Sequence, residues 1–385
     1  MRSGLLRQHR RYFAVAAFGL LATPLVVGVV RPDSPAAILK EGRYVTPAPQ
    51  APVDGEGWLK LPKDVDAYLQ DHFGLREKMI RLHKDVTKPL VFKENNVAIN
   101  GDSGRFYAIA DGMVLQSAGR VFRQQRVADA AELIVTMRDA LRKRGIAFLV
   151  ALPPNSSTVY PDDLPYWARN PGKKTEYDAL LETIEAQGVR AVDLRPALSL
   201  ARLDGPTYLI NDLHWNVRGA VAGFNAIVDA DGRPDWHIDP SSAIGPLAER
   251  RGGDIATLLG IEDSVRETTE TLALPSAGTT IALSDGPEGR IGAAKDMTDH
   301  MIVTGKPGAT VLVIGDSFTT NYFPVFLAQH VGRAIWIHHQ YCGFDWTLID
   351  KLKPDEVWWT PVERFLVCQQ GQYPHGLRMD AGLAR

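Results

Sequence analysis

Two short strings hold residue types that can do covalent chemistry. Gly315-Asp316-Ser317-Phe318 follows the apolar run 311–314, and Asn211-Asp212-Leu213-His214-Trp215 stands 103 positions upstream, counted from His214 to Ser317. A serine hydroxyl is a weak nucleophile until a base takes its proton, and the base needs an acid to orient it. Ser317, His214 and Asp212 are residue types for those three roles. Asp212 and His214 are two apart, which in a loop or extended segment lets the carboxylate reach the ring nitrogen that faces away from Ser317. Gly315 suits a tight turn after a strand. Ser317 is then expected near a helix N-terminus, where its backbone N–H and the helix dipole favour an oxyanion. Acyl transfer through an acyl-serine is the chemistry this set implies. The blander alternatives are a helix-capping role for Ser317 and a metal pair or surface loop for Asp-x-His.

A second Gly-Asp-Ser string, Gly101-Asp102-Ser103, precedes Gly104 with no helical pattern after it. Glycines on both sides suggest a β-turn in which Asp and Ser serve the backbone. Trp358-Trp359 alternates across a strand, with one ring expected in the core. Trp167 lies close to Tyr160 and Tyr166 in a polar loop, where Trp167 and Tyr160 are candidates for contact with a sugar. His237 and His300 have no partners at metal-ligand spacing, so no catalytic metal is expected, and no cofactor motif is present.

Elements that position these groups follow from periodicity. Residues 57–95 carry a helical pattern. Beyond them, helices are expected over 128–144, 174–187, 215–228 with Asn216 as cap, and 319–330. Short apolar strands are expected over 146–152, 189–194, 311–314, 334–337 and 356–359. Strands alternating with helices imply a doubly wound α/β domain with a parallel sheet covered on both faces, and its site belongs at the carboxyl ends of the strands. Residues 240–300 are polar and weakly patterned and read as an insertion.

The 385 residues carry a formal charge of -2, with 45% hydrophobic and 23% charged positions, so nothing points to nucleic acid. Residues 12–30 are uncharged and mostly apolar, about 29 Å as a helix at ~1.5 Å per residue. Arg2, Arg7, Arg10 and Arg11 precede this run. The positive-inside rule makes 1–11 a cytoplasmic basic segment, 12–30 a signal anchor in the inner membrane, and everything after it periplasmic. A cleaved signal peptide is the rival reading. The Pro/Ala-rich stretch 31–56 reads as a linker, and 57–385 as the domain. Cys342 and Cys368 are the two cysteines, and an oxidising compartment allows either one bridge between them or two buried thiols.

The motifs taken together resemble the alginate O-acetyltransferase (AlgJ/AlgX-like) family, whose catalytic domain is SGNH hydrolase-like. The residues that carry the resemblance are Asp71-His72-Phe73-Gly74-Leu75-Arg76, Leu152-Pro153-Pro154 with Val159-Tyr160-Pro161, Asp212-Leu213-His214-Trp215 with Gly219-Ala220, Gly252-Gly253-Asp254, Gly315-Asp316-Ser317-Phe318, and Lys353-Pro354-Asp355 with Glu363-Arg364-Phe365-Leu366. The resemblance implies Ser317 as nucleophile, His214 as base and Asp212 as acid, acting on a secreted polysaccharide. It also implies a membrane-bound acyltransferase as acetyl source. The motif order is permuted relative to ordinary SGNH hydrolases, in which Gly-Asp-Ser comes first. The usual Gly-x-Asn-Asp block is replaced by Thr360-Pro361-Val362-Glu363-Arg364, which leaves Arg364, Asn155, His338 and His339 as candidates for the oxyanion or substrate wall. An acetylesterase with the same three residues, and a non-catalytic carbohydrate-binding subunit of an export complex, are the alternatives.

Overall fold

A computed structural model describes residues 12–20, 22–24, 26–27, 48–49, 51–52, 54–71, 97–109, 112–283, 298–339 and 346–366. The chain divides into two compact units, residues 1–89 with 285–295, and residues 90–284 with 296–385. In the first, helix α1 spans Gly55–Asp71, which covers the start of the expected helical region; the rest of it, 72–95, lies outside the described residues. The described positions between 12 and 27 are helical. Among the described residues no helix is long and apolar enough to cross a membrane.

The second unit opens with the antiparallel pair β1 (Ala98–Asn100) and β2 (Phe106–Ala108). Its main sheet draws on β3 (Ala147–Ala151), β4 (Ala191–Val192), β7 (Thr279–Ala282), β8 (His300–Val303), β9 (Thr310–Gly315), β10 (Arg333–His338) and β11 (Glu356–Thr360). The order is β4-β3-β11-β9-β10-β8-β7. Strands β4 to β10 in that order run parallel, whereas β8 is antiparallel to β10 and β7 to β8. The sheet is therefore mixed rather than wholly parallel. The cause lies in the stretch read as an insertion: it supplies β7, whose Thr-Thr-Ile-Ala residues are all exposed and lack the apolar run of a buried strand. It also forms a separate antiparallel pair, β5 (Ile244–Arg251) and β6 (Arg266–Leu272).

Alternation within the central strands covers both faces. Leu149, Val311, Val313, Trp336 and Trp358 pack with Trp215, Phe224 and Phe323 on one side. Val150, Leu312, Ile314, Ile337 and Trp359 pack with Ile134, Leu180 and Ile184 on the other. Both rings of Trp358-Trp359 are thus buried, one in each layer. Helices α2 (Gln124–Lys143) and α3 (Glu176–Ala186) cover the second face. The start of α3 is fixed by a capping box between Thr175 and Asp178. Helix α4 (Val217–Ala230) covers the first face, and its cap is Asn216, whose side chain accepts the Gly219 N–H.

From β9 the chain passes to β10 on one side and later to β11 on the other. The carboxyl end of β9 therefore lies where the connections diverge, the usual place for a site in an open α/β sheet. The helix expected over 319–330 is shorter. Residues 317–322 form turns, with the Asp316 carbonyl accepting the N–H groups of Thr319 and Thr320. Only Phe323–Leu327 is helical (α6), with Pro324 in its first turn, where a missing N–H costs nothing.

Candidate active site

The hydroxyl of Ser317 lies 2.7 Å from His214 Nε2. The other ring nitrogen, Nδ1, is 2.7 Å from Asp212 Oδ1. Ser317 stands in the turn after β9 rather than at a helix N-terminus, which removes helix-dipole assistance. The reason is local: the Asp316 side chain takes the Phe318 N–H at 3.0 Å and the Val362 N–H at 2.8 Å, which folds the chain back after Ser317 and ties it to the end of β11. Gly315 is required by closeness, since a Cβ there would lie 2.2 Å from Thr319 Oγ1 and 2.6 Å from Thr360 Oγ1.

The loop bearing Asp212 and His214 is held from several sides. Tyr208 bridges to Trp215, and the buried Arg105 donates to the carbonyls of Tyr208 and Leu209. Trp215 Nε1 donates to the Phe318 carbonyl at 2.7 Å. Trp215 meets the Phe318 ring edge-on at 5.5 Å, and the His214 ring centre is 4.9 Å from that of Phe318. The residues that follow Ser317 and His214 are therefore in contact, which fixes the approach of the Ser317 hydroxyl to the His214 ring.

The stretch 240–300 supplies further groups that sequence reasoning did not assign. Arg250 on β5 donates to Asp212 Oδ2 at 3.0 Å. Its register partner on β6, Glu267, lies 3.6 Å from Arg250 Nη1 and accepts the Ile210 N–H at 2.7 Å. Gly253 passes against Asp212 so closely that a Cβ would lie 2.1 Å from Oδ2. Its N–H is held by Asn211 Oδ1 at 2.6 Å. Asp254, the first residue of α5 (Asp254–Leu259), places Oδ2 3.4 Å from His214 Nδ1. The visible signal was Gly252-Gly253-Asp254, a motif without an obvious role until the loop it touches is in place.

These contacts set the protonation states. Burial pushes the Asp212 carboxyl up, but the hydrogen bond and charge of His214, with Arg250 behind, outweigh it and hold the group well below the usual carboxylate range. Burial alone would push His214 down, yet Asp212 and then Asp254 raise it above its ordinary value, against an opposing push from Arg364. Asp254 is raised, by burial and by the charge of Asp212. The donor atoms of Asp212, His214 and Asp254 lie within 4.8 Å of one another, a spacing compatible with a shared cation. An ion on Nδ1 would replace the proton that Asp212 accepts, so cation binding and the hydrogen-bonded chain exclude each other.

The remaining sequence candidates divide. Arg364 is 7% exposed, its guanidinium carbon lies 5.4 Å from the Phe318 ring centre, and its Nη1 has no hydrogen-bond partner among the described residues. Asn155 is 3% exposed, and neither polar atom of its side chain is bonded among the described residues. Its N–H donates to Glu363 Oε2 at 2.7 Å, which ties the end of β3 to the 363–365 turn after β11. His339 lies behind the nucleophile turn, 3.6 Å from Asp316 Oδ2, with its ring stacked on that of His338 at 4.7 Å. The His338 N–H is held by Asp299. His339 thus packs behind the turn, and His338 packs against His339. Tyr160 is not available to a sugar: it is buried, Arg105 and Arg202 lie over its ring at 4.3 and 4.0 Å, and its hydroxyl is engaged with Thr207. Trp167 is half exposed in a short turn, 166–168. Cys342 and Cys368 lie outside the described residues.

Comparison with known proteins bears on the family and the fold. Residues 27% identical over a 150-residue stretch are found in the "Probable alginate O-acetylase AlgJ" of Pseudomonas syringae pv. tomato, a match covering 36% of each chain. The match thus spans about a third of that relative's length. Among solved structures, Bacillus cereus PatB1 superposes with a TM-score of 0.51 at 14% identity, covering 71% of this chain and 98% of that one. A DHHW family protein from Eubacterium siraeum gives 0.51 at 15% identity, covering 71% and 96%. Those two likenesses speak for the fold. The family described as "SGNH hydrolase-like domain, acetyltransferase AlgX" matches residues 111–363, and the chain belongs to that family.

Proposed function

We propose that the protein is an O-acetyltransferase that moves an acetyl group onto a secreted polysaccharide through an acetyl-serine. The observation that carries this reading is the chain Asp212–His214–Ser317, with both contacts at 2.7 Å. Ser317 Oγ attacks the donor's carbonyl carbon as its proton passes to His214 Nε2. The donor's acyl bond then breaks, and His214 returns that proton to the leaving group. In the second half a sugar hydroxyl gives its proton to His214 and attacks the acetyl-serine, and Ser317 leaves by regaining a proton. Asp212 holds the Nδ1 proton throughout. Arg364 Nη1 and the Asn155 amide, without hydrogen-bond partners among the described residues, are the groups we assign to the oxyanion wall, in the place of the missing Gly-x-Asn-Asp block.

Membership of the AlgX family supports acetyl transfer as the reaction. The arginine bias before the apolar run 12–30 supports an inner-membrane anchor and a periplasmic domain. A periplasmic enzyme has no acetyl-CoA to hand, so the donor is an acetyl group delivered by a membrane-bound acyltransferase. The test is incubation with a small acetyl ester, with and without a polysaccharide acceptor. We expect one acetyl group on Ser317 in a peptide digest, discharged faster by polysaccharide than by water. Discharge to water alone would make the protein an esterase. Absence of any acyl-Ser317 would favour a binding subunit.

A further inference from the structure

We propose that Asp254 is a second carboxylate for His214, a positioning residue whose charge beside Nδ1 adds to that of Asp212 and sets the pH range in which His214 works as a base. The proposal rests on the acyl-serine reading of the site and adds a residue to it.

The case starts from how the oxygens of Asp212 are used. Oδ1 accepts both the Nδ1 proton at 2.7 Å and the His214 backbone N–H at 3.1 Å. Oδ2 is taken by the Arg250 guanidinium at 3.0 Å. A carboxylate divided among an imidazole, an amide and a guanidinium has much of its charge already answered. Asp254 supplies a further negative charge on the same ring nitrogen, 3.4 Å away. Its position is fixed by the backbone: the Gly253 N–H is bound to Asn211 Oδ1, and the Ala256 N–H to the Asn211 carbonyl at 3.2 Å. The start of α5 is thereby fastened to the loop that carries His214. Those bonds keep the Asp254 backbone beside the His214 ring, while its side chain stays 54% exposed and in reach of solvent.

The charged groups around the imidazole come from every neighbouring element. Asp212 is on its own loop, Asp254 on α5, Arg250 on β5, Glu267 on β6, and Arg364 in the 363–365 turn. Asp316, in the nucleophile turn, is turned toward His339. Tyr322, after it, is pushed up to about 12 by burial and stays neutral. Arg250 and Arg364 are two positive charges set against Asp212 and Glu267; Asp254 tips the balance to negative. That favours the imidazolium formed when Ser317 gives up its proton, in the ground state and more so in the transition state.

The test is titration of the His214 ring by NMR in the resting full chain, for wild type, Asp254→Asn and Asp254→Glu, together with pH profiles of acetyl-ester turnover. Removing a negative charge disfavours the protonated ring, so Asp254→Asn should move the midpoint to lower pH, and Asp254→Glu should restore it. The acid limb of the rate profile should move the same way, while the plateau falls by roughly three- to tenfold. In an Asp212→Asn background, removing Asp254 should cost a larger factor than in wild type, since only one carboxylate then remains. An unmoved His214 midpoint in Asp254→Asn overturns the proposal, whatever the rates do. The midpoint does not depend on turnover: if it moves while Ser317→Ala stays fully active, the acyl-serine reading fails and the pairing stands.

Discussion

Gly-Asp-Ser occurs twice in the chain, at 101–103 and at 315–317, and the molecule uses the two copies differently. The first turns the chain between β1 and β2: the Gly104 N–H bonds the Gly101 carbonyl, and the Gly101 N–H bonds that of Arg105. Ser103 there is a donor. Its hydroxyl gives a hydrogen bond to Asp163 Oδ2 at 2.9 Å, its N–H gives one to Oδ1 at 2.6 Å, and Tyr107 adds a third at 2.6 Å. The Asp163 carboxylate is thus occupied by three donors that hold the turn together. The second copy ends a buried parallel strand and faces an imidazole. What separates the two serines is thus the kind of partner that the fold delivers from far away in sequence, a carboxylate for Ser103 and an imidazole for Ser317.

The largest difference should come from removing each hydroxyl. Ser317→Ala should lower acetyl-ester turnover by roughly 10³-fold or more with little change in melting. Ser103→Ala should leave turnover within about twofold and cost on the order of 1 kcal/mol of stability, since it strips one donor from a buried carboxylate. Equal losses of activity in the two variants would break the comparison. Asp212→Asn comes next: its amide forces the wrong tautomer on His214, and turnover should drop by about 10²- to 10⁴-fold without vanishing.

Both copies depend on a glycine pressed against the partner acid, and this sharpens the contrast. A Cβ on Gly101 would lie 2.3 Å from Asp163 Oδ2, and one on Gly253 would lie 2.1 Å from Asp212 Oδ2. Each alanine variant must push its carboxylate aside, at about 1–3 kcal/mol. For Gly253→Ala the displaced group orients His214, so turnover should fall by roughly tenfold or more beyond what the loss of folded protein explains. For Gly101→Ala the loss should appear in denaturant unfolding alone. A Gly253→Ala enzyme with wild-type turnover per folded molecule would show that Asp212 tolerates displacement.

The core of this organisation was legible in the sequence. The run Val311–Ile314 is apolar at every position, as a strand buried on both faces must be. Asn216 caps α4 as its type suggests. The spacing of Asp212 and His214 was compatible with the observed contact. Gly252-Gly253-Asp254 stood out as a motif without a role, whereas the support from Arg250 and Glu267 was not legible, for a physical reason: β5 and β6 form a separate, only partly buried pair whose residues follow no apolar alternation. The value of these groups lies in long-range contacts to Asp212 and to the backbone at 210–211. The helix expected over 319–330 starts only at Phe323, because the Asp316 side chain and carbonyl hold the N–H groups of 318–320 in turns. Phe318, Phe323, Phe326 and Leu327 are buried all the same.

The smallest effect concerns the two aspartates, and it adds a dependence on pH. The Asp102 side chain is 73% exposed and pairs only loosely with Arg169 at 3.3 Å. Asp102→Asn should change stability by less than about 0.5 kcal/mol. Asp316 is buried, and its two oxygens hold the Phe318 and Val362 N–H groups. Asparagine has one acceptor oxygen, so Asp316→Asn would satisfy one amide and present an NH₂ to the other, at a cost of about 1–2 kcal/mol at neutral pH. Burial pushes the Asp316 carboxyl up, but the neighbouring His339, then Arg364 and the Val362 amide, hold it below its ordinary value. A carboxyl depressed in the folded state contributes its stability above the unfolded value, near about 3.9, and loses it as pH falls through the folded one. The gap between wild type and Asp316→Asn should therefore be constant from neutral pH down to mildly acid conditions and narrow only in strong acid. Denaturant unfolding at a series of pH values measures this, and a gap that closes between pH 7 and pH 5 would show that Asp316 is not held ionised by its surroundings.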